Sequence, residues 1–222
     1  MKSLMIRRCL AALSLSFSFV VQGAIIYNNG PPDQVSGTNM SEVLVAENFT
    51  LGAAADITNI RFWSIQDTAT SYSGSVYWAI YSNVSNQPGS LLDGGLTAIV
   101  PAVPTGNSTG FGYAEYAFDI SVVFQLAVGD YWLALHNGAL SNNSPSEMLW
   151  STTAAPISFS SLYLDPPNSA IPVWLSTDNE QAFRLDGTPL SPGSVPEPSI
   201  FMLLCAGLLA AAFLRRKSRN AS

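Results

Sequence analysis

The first residues to examine for chemistry are a serine, an acid and a histidine, in the chain order that α/β-hydrolases use. Gly106-Asn107-Ser108-Thr109-Gly110 matches the nucleophile-elbow pattern, and Asp119 or Asp130, then His136, follow it. The elbow requires a strand, a sharp turn and a helix in a large α/β domain. Here the pentapeptide leads directly into another predicted strand. The pattern therefore favours a polar hairpin loop, and we expect no enzyme.

Other catalytic arrangements have no better support. His136 is the single histidine of the chain, and one histidine cannot supply a zinc site with two or three histidine ligands. Two carboxylates could serve glycoside hydrolysis. With fifteen acidic residues in the chain, however, a pair is expected by chance. The sequence predicts no catalytic residues.

One polar loop offers ligands for a hard cation. Asp178-Asn179-Glu180 groups carboxylate and amide oxygens, and Asp165 precedes another turn at residues 166–168. Calcium requires six to eight oxygens, and the spacing of an EF-hand is absent from the sequence. A calcium site at Asp178, Asn179 and Glu180 and a simply solvated loop therefore both stay open. The sequence implies no other cofactor.

Aromatic residues alternate along one predicted strand. Val76, Trp78 and Ile80 share one face, because side chains of a strand repeat every two residues. Tyr77 and Tyr81 lie on the other face. If exposed, these two tyrosines could stack against a sugar ring, although burial is the commoner fate of such side chains.

The elements that would hold these residues are strands. Segments rich in β-branched and aromatic residues recur between Gly, Pro, Asn, Asp and Ser, with no clear helical period. The predicted strands are Ala24–Tyr27, Val43–Leu51, Ile57–Ile65, Ser75–Ser82, Leu96–Val100, Tyr113–Ile120, Asp130–His136, Met148–Ser151, Ile157–Tyr163 and Gln181–Leu185. Many short strands of this kind predict an all-β fold with a single β-sandwich or jelly-roll domain.

Glycine-containing pairs and triplets predict the turns between these strands. They are Asn29-Gly30, Pro88-Gly89, Asp93-Gly94-Gly95, Asn137-Gly138 and Asp186-Gly187. Sandwiches often bind sugars, but a fold alone does not establish a function.

The first residues have the parts of a secretory signal peptide. Lys2, Arg7 and Arg8 precede an apolar run at 10–21, and small residues suited to cleavage follow, with the cut expected after Gly23. Export across the inner membrane through the Sec machinery and signal peptidase is the expectation. An uncleaved N-terminal anchor is the alternative.

The chain ends in a proline-rich stem, an apolar run and a basic cluster. Pro196-Glu197-Pro198 precedes residues 199–214, which carry neither charge nor amide. As a helix, the apolar run covers roughly 22 Å of a ~30 Å hydrocarbon core, and snorkelling cations can close the gap. The basic membrane stop consists of Arg215, Arg216, Lys217 and Arg219. Because such clusters stay in the cytoplasm, the rest of the chain is expected outside.

This three-part tail resembles the PEP-CTERM sorting signal of Gram-negative bacteria. The resemblance rests on Pro196, Glu197, Pro198, the apolar run and the basic cluster, which together cover roughly the last 28 residues. It implies recognition by exosortase, a membrane-embedded protease or transpeptidase, and removal of the helix at the outer membrane face. It also implies an association with exopolysaccharide. An ordinary C-terminal anchor with an incidental proline-rich stem is the alternative.

Short segments of the middle region also resemble exported sandwich domains that carry the same tail. They include Asn48–Leu51, residues 78–82 and Asp130–Leu133. This resemblance brings no catalytic residues with it.

Charge is distributed unevenly along the chain. Seven of the nine basic residues lie in the two terminal segments. Residues 24–194 contain two basic side chains, Arg61 and Arg184, and fourteen acidic ones, which gives a side-chain charge of −12. Such a surface repels phosphate backbones and argues against nucleic-acid binding. Cys9 and Cys205 both lie in the terminal segments, so we expect no disulfide between them in the mature region.

These inferences give one domain organisation. The expected segments are a signal peptide at 1–23, an acidic β-sandwich at 24–187, a linker with the PEP motif at 188–198, a transmembrane helix at 199–214 and a basic cytoplasmic tail at 215–222. The expected protein is a membrane-anchored precursor that becomes a non-catalytic protein of the cell surface or extracellular matrix, in association with exopolysaccharide and biofilm. A carbohydrate-binding module, with or without Ca²⁺, is the alternative.

Overall fold

The computed structural model describes residues 23–67, 71–142, 146–154, 161–165, 167 and 173–190, and these residues form thirteen β-strands. In chain order the strands are β1 (Ala24–Asn28), β2 (Pro32–Asn39), β3 (Leu44–Leu51), β4 (Ala55–Gln66), β5 (Ser75–Val84), β6 (Gln87–Ala98), β7 (Val103–Ser108), β8 (Ala114–Leu126), β9 (Gly129–Asn137), β10 (Met148–Thr153), β11 (Leu162–Leu164), β12 (Trp174–Ser176) and β13 (Phe183–Pro189).

The strands form two antiparallel sheets. In sheet A, the long strand β4 pairs with β8 on one side and, along its length, with β13 and then β10 on the other. Strands β1, β2 and β7 complete this sheet by pairing with β13, β10 and β8. Sheet B has the strand order β12-β11-β3-β9-β5-β6.

Both sheets contribute to one hydrophobic core. Alternate residues of β4 and β8, such as Ile60, Phe62 and Phe118, are fully buried, and so are Leu133 and Leu135 of β9 in the other sheet. This period of two is what a strand with one buried face requires. The all-β prediction is confirmed, with two antiparallel sheets enclosing a shared core.

The outer face of sheet B carries a second apolar cluster. Ala46, Ala134 and Ala79 lie side by side across β3, β9 and β5, and all three are buried. Trp132 and Trp174 belong to the same cluster. Sheet B is therefore buried on both faces near its centre, whereas the outer face of β8 is solvated.

Three of the five glycine signals that predicted turns lie inside strands. Asp93-Gly94-Gly95 and Pro88-Gly89 belong to β6, and Asp186-Gly187 belongs to β13. A Cβ on Gly187 would lie 2.0 Å from the carbonyl oxygen of Asp56 in β4. Glycine is required there because a neighbouring backbone approaches closely, which is a different use of the residue from a turn. Gly30 has the positive φ expected of the predicted turn at Asn29-Gly30. Gly138 also has a positive φ, but Asn137 is the last residue of β9 and Gly138 forms a β-bridge with Val76.

The predicted strands do not include β2, β7 or β12, and they leave out most of β6 and the ends of β8 and β13. Thr188 and Pro189 were assigned to the linker, yet they pair with Asp56 and Ala55 of β4. Composition favoured loops at these positions because edge strands tolerate Pro and Gly, which central strands do not.

Both ends of the chain lie outside the described residues. The signal peptide, the linker beyond residue 190, the apolar run at 199–214 and the basic tail belong to these parts, as does most of the predicted strand Ile157–Tyr163. Within the described ranges, no helix has the length and apolar character needed to cross a bilayer.

Candidate functional site

The serine and the histidine of the hydrolase pattern lie in different sheets. Ser108 is exposed at the end of β7, and the following residues form a hairpin in which the Gly112 amide donates to the Thr109 carbonyl. His136 is buried in β9, where its Nδ1 lies 3.2 Å from the Gly138 carbonyl. Burial lowers the pKa of His136. Among the described contacts, no hydrogen bond joins Ser108 to His136.

The proposed calcium ligands face different surroundings. Asp178 is exposed and its Oδ1 accepts from Ser176, while Asn179 donates to the Thr177 carbonyl. Glu180 is buried, only 3% exposed. Within the part of the chain that is described, no three His, Cys, Asp or Glu side chains gather closely enough to hold a metal. Calcium binding at these residues stays a prediction.

Tyr77 and Tyr81 lie on the outer face of sheet B, on either side of Ala79, and both are half-buried. The Tyr81 ring meets Trp174 edge-on at a centroid distance of 6.0 Å. Burial, together with Tyr77, raises the pKa of Tyr81. Both side chains thus pack against the outer apolar cluster. Sugar stacking on them stays a prediction.

The structure brings two carboxyl groups together inside the core. Glu47 of β3 is fully buried and hydrogen-bonds Glu180, which precedes β13 of the opposite sheet. The Glu47 oxygens also accept from the amides of Asn48 at 3.0 Å and Gln181 at 2.6 Å. Asn29 donates to Glu180 at 3.3 Å. A chain of polar contacts therefore connects the two sheets across the interior.

This interior pair has unusual electrostatics. Burial, and then the negative charge of Glu180, raise the pKa of Glu47 well above its ordinary value. Tyr27 of β1 faces the same pair, and burial together with both glutamates raises its pKa to about 12. Two carboxyl groups in contact cannot both ionise without strong repulsion. The contact therefore favours the protonated form of Glu47 over the ionised form, relative to a solvated glutamate.

The two arginines of the described residues lie elsewhere, on the outer face of sheet A. Arg61 of β4 sits directly opposite both Arg184 of β13 and Asp119 of β8. Its guanidinium contacts the Asp119 carboxylate through two nitrogens, at 2.8 and 2.5 Å. Arg184 pairs with Asp186 at 2.9 Å. Each arginine between residues 24 and 190 thus pairs with an aspartate instead of the buried glutamates.

A pocket of about 180 Å³, lined by both polar and aromatic residues, lies at one end of the outer face of sheet B. It is bounded by the last residues of β3, the first residues of β9 and the turn between β5 and β6. Trp132 Nε1 donates to Asn83 Oδ1 at 3.0 Å, and Thr50 Oγ1 donates to Asp130 Oδ1 at 2.6 Å. The polar lining residues are Asn48, Thr50, Asn83, Asn86 and Asp130.

The sequence analysis predicted neither the buried glutamate pair nor the pocket, although the sequence contains an indication of the buried glutamate. Glu47 alternates with Val45, Phe49 and Leu51 in a predicted strand, so it lies on the buried face of that strand. An acid at such a position indicates a buried carboxyl group. The pocket had no comparable signal, because its walls come from three separate segments.

Comparison with known proteins identifies the tail. The family model of the PEP-CTERM protein-sorting motif matches residues 194–217, the part that includes the Pro-Glu-Pro motif, the apolar run and the start of the basic cluster. No curated protein matches the chain significantly. Pro196, Glu197, Pro198 and the basic residues of the membrane stop lie outside the described residues. The chain carries a PEP-CTERM sorting motif, which implies that the protein is exported and sorted to the cell surface through exosortase.

Proposed function

We propose that the β-domain is a non-catalytic protein of the cell surface or extracellular matrix that associates with exopolysaccharide. The observation that carries the proposal is the sorting motif at residues 194–217. The strong acidity of residues 24–194 supports it, because a high like charge keeps an exported protein dispersed until it meets its partner.

Processing by exosortase tests the first half of the proposal. A chain tagged near residue 24 should lose its C-terminal helix in a host with active exosortase and keep it in a strain without the enzyme. Pro196→Ala and Glu197→Gln should block the loss, while near-UV circular dichroism stays that of the folded domain. Pro192→Ala, in the same linker but outside the motif, is the matched control. A helix retained in the active host contradicts the sorting role.

The location of the processed domain tests its association with exopolysaccharide. The processed domain should appear in the exopolysaccharide fraction of wild-type cells and move to the medium or the soluble fraction when polysaccharide synthesis is deleted. A distribution that does not change on deletion contradicts the matrix association and leaves the sorting role standing.

Glycan binding is the second candidate function. The pocket beside Asn83 and Asp130 favours it, because amide and carboxylate groups are suited to hydrogen-bonding sugar hydroxyls. Tyr77 and Tyr81 offer a second place on the same sheet. A glycan array and a pull-down on the organism's own polysaccharide, each with and without Ca²⁺, test this function. Blank results in all four experiments contradict it.

A further inference from the structure

The pocket at the end of sheet B has hydrogen-bonding atoms that the protein leaves unused. The bond from Trp132 takes the oxygen of the Asn83 amide, and the bond from Thr50 takes one oxygen of the Asp130 carboxylate. Within the described ranges, Asn83 Nδ2 and Asp130 Oδ2 have no hydrogen-bond partner. A fixed donor and a fixed acceptor therefore line the same small pocket.

The turn between β5 and β6 places a third polar group at the rim. Ser85 and Asn86 have φ values of 53° and 61°, so both central residues of this two-residue turn are left-handed. Asparagine adopts this conformation more readily than most residues, and tight hairpins require it. The turn fixes Asn86, which is exposed, beside the pocket.

The volume and the charge of the pocket narrow the ligand class. About 180 Å³ is below the roughly 300–1,000 Å³ of pockets for drug-sized ligands, so the pocket suits a ligand no larger than one sugar ring. A sugar hydroxyl both donates and accepts, so it can pair with the donor and the acceptor together. Asp130 is the one charged side chain in the lining, and the described arginines lie on sheet A. A uronate or a phosphate would meet repulsion here.

We propose that this pocket binds one ring of a neutral polysaccharide, with Asn83 Nδ2 and Asn86 donating to sugar oxygens and Asp130 Oδ2 accepting from a sugar hydroxyl. The proposal rests on the glycan-binding candidate above and assigns it a site distinct from Tyr77 and Tyr81. The proposed binding is non-covalent.

Two variants test the site with little change in the fold. Asn86→Gly removes the side-chain amide and keeps a residue that accepts positive φ. Ser85→Gly makes the same substitution in the same turn, one residue outside the lining, and is the matched control. Asp130→Asn retains an oxygen for Thr50 and replaces the free acceptor by a donor.

The probes are neutral glucan, mannan and galactan, with alginate and polygalacturonate as anionic comparisons. Binding is measured by affinity electrophoresis and calorimetry on the full chain in a zwitterionic detergent, because sugar-based detergents would compete. We expect one neutral probe to bind. Asp130→Asn should weaken that binding about tenfold, as loss of a hydrogen bond to a charged group predicts, and Asn86→Gly should weaken it severalfold. Ser85→Gly should leave it unchanged.

Every other outcome contradicts one part of the proposal. If a neutral probe binds equally to wild type, Asn86→Gly and Asp130→Asn, the assigned site is wrong and glycan binding itself survives. If no probe binds to wild type, both the assigned site and glycan binding are wrong. Tighter binding of the anionic probes contradicts the charge argument. Binding that disappears with EDTA means that a cation mediates contact, which contradicts direct hydrogen bonding by Asp130.

Discussion

The carboxyl groups of Glu47 and Glu180 hydrogen-bond each other in the interior, although one precedes a strand of sheet A and the other belongs to sheet B. Tyr27 also faces the pair, and both arginines of the described region are engaged with aspartates. Burial and the negative charge of Glu180 both disfavour ionisation of Glu47 in this contact. This contact makes the stability of the fold depend on pH.

The first prediction concerns the alkaline side of that dependence. Because the pKa of Glu47 is raised in the folded state, its favourable contribution is complete below the unfolded value of about 4.3. That contribution is lost as pH rises through the folded value. Each tenfold change in proton affinity is worth about 1.4 kcal/mol. Urea denaturation between pH 5 and pH 9 should therefore show a falling free energy of unfolding.

Glu180→Gln tests the cause of that fall. The substitution removes the negative charge of Glu180, and its amide can donate to Glu47, so the loss of stability with rising pH should become smaller. The part of the loss that burial of Glu47 causes should remain. Glu115→Gln is the control, since Glu115 is also buried but bonds Thr105 and Asn107. Stabilisation of wild type by Ca²⁺ at pH 9, absent from Glu180→Gln, would instead mean that a cation neutralises the pair.

The second prediction concerns the stability of the fold at acid pH. Burial alone would raise the pKa of Asp119, but hydrogen bonds from Arg61 and Asn59 outweigh it and leave the pKa below its ordinary value. The contribution of Asp119 is therefore present above about pH 3.9 and is lost as pH falls through the lowered value.

Asp119→Asn should cost at most about 1 kcal/mol at pH 7, because the pair with Arg61 is partly exposed and screened. The difference from wild type should shrink below pH 4 and in high salt. Thermal denaturation over pH 2–7 measures it, with Glu42→Gln at an exposed position as control. A difference that does not shrink as pH falls contradicts the ion-pair explanation.

The third prediction uses two adjacent glycines of β6. A Cβ on Gly94 would lie 2.7 Å from the Trp78 carbonyl oxygen and 2.9 Å from Ala79 Cα, so the backbone of β5 would have to move. Gly95 has no neighbour within 4 Å of the same position. Gly94→Ala should destabilise the fold by about 1–3 kcal/mol. Gly95→Ala should stay within about 0.5 kcal/mol of wild type in urea denaturation. Equal costs would show that β6 does not need the close approach at Gly94.

The fourth prediction addresses catalysis. Ser108 lies in a hairpin and His136 is buried in the other sheet, so any hydrolysis observed with ester or glycan substrates should be unaffected by Ser108→Ala. Loss of activity in that variant, with unchanged circular dichroism, would restore the hydrolase hypothesis.

Sequence alone determined the features that depend on neighbouring residues. The Pro-Glu-Pro motif, the apolar run and the basic cluster are contiguous, and the matched family model covers them. The all-β class also followed from local pattern, because period-two alternation directly reflects which face of a strand is buried. The acidity of residues 24–194 is a matter of composition.

Tertiary structure alone decided which distant residues meet. Glu47 and Glu180 face each other because β3 and the segment before β13 are brought together by pairings with other strands. The polar pocket likewise joins Thr50, Asn83 and Asp130 through the register of β3, β9 and β5. Glycine alone does not distinguish a turn from a close backbone contact, as Gly94 and Gly187 show. These outcomes depend on strand register, which is set by long-range pairing and cannot be derived from local composition.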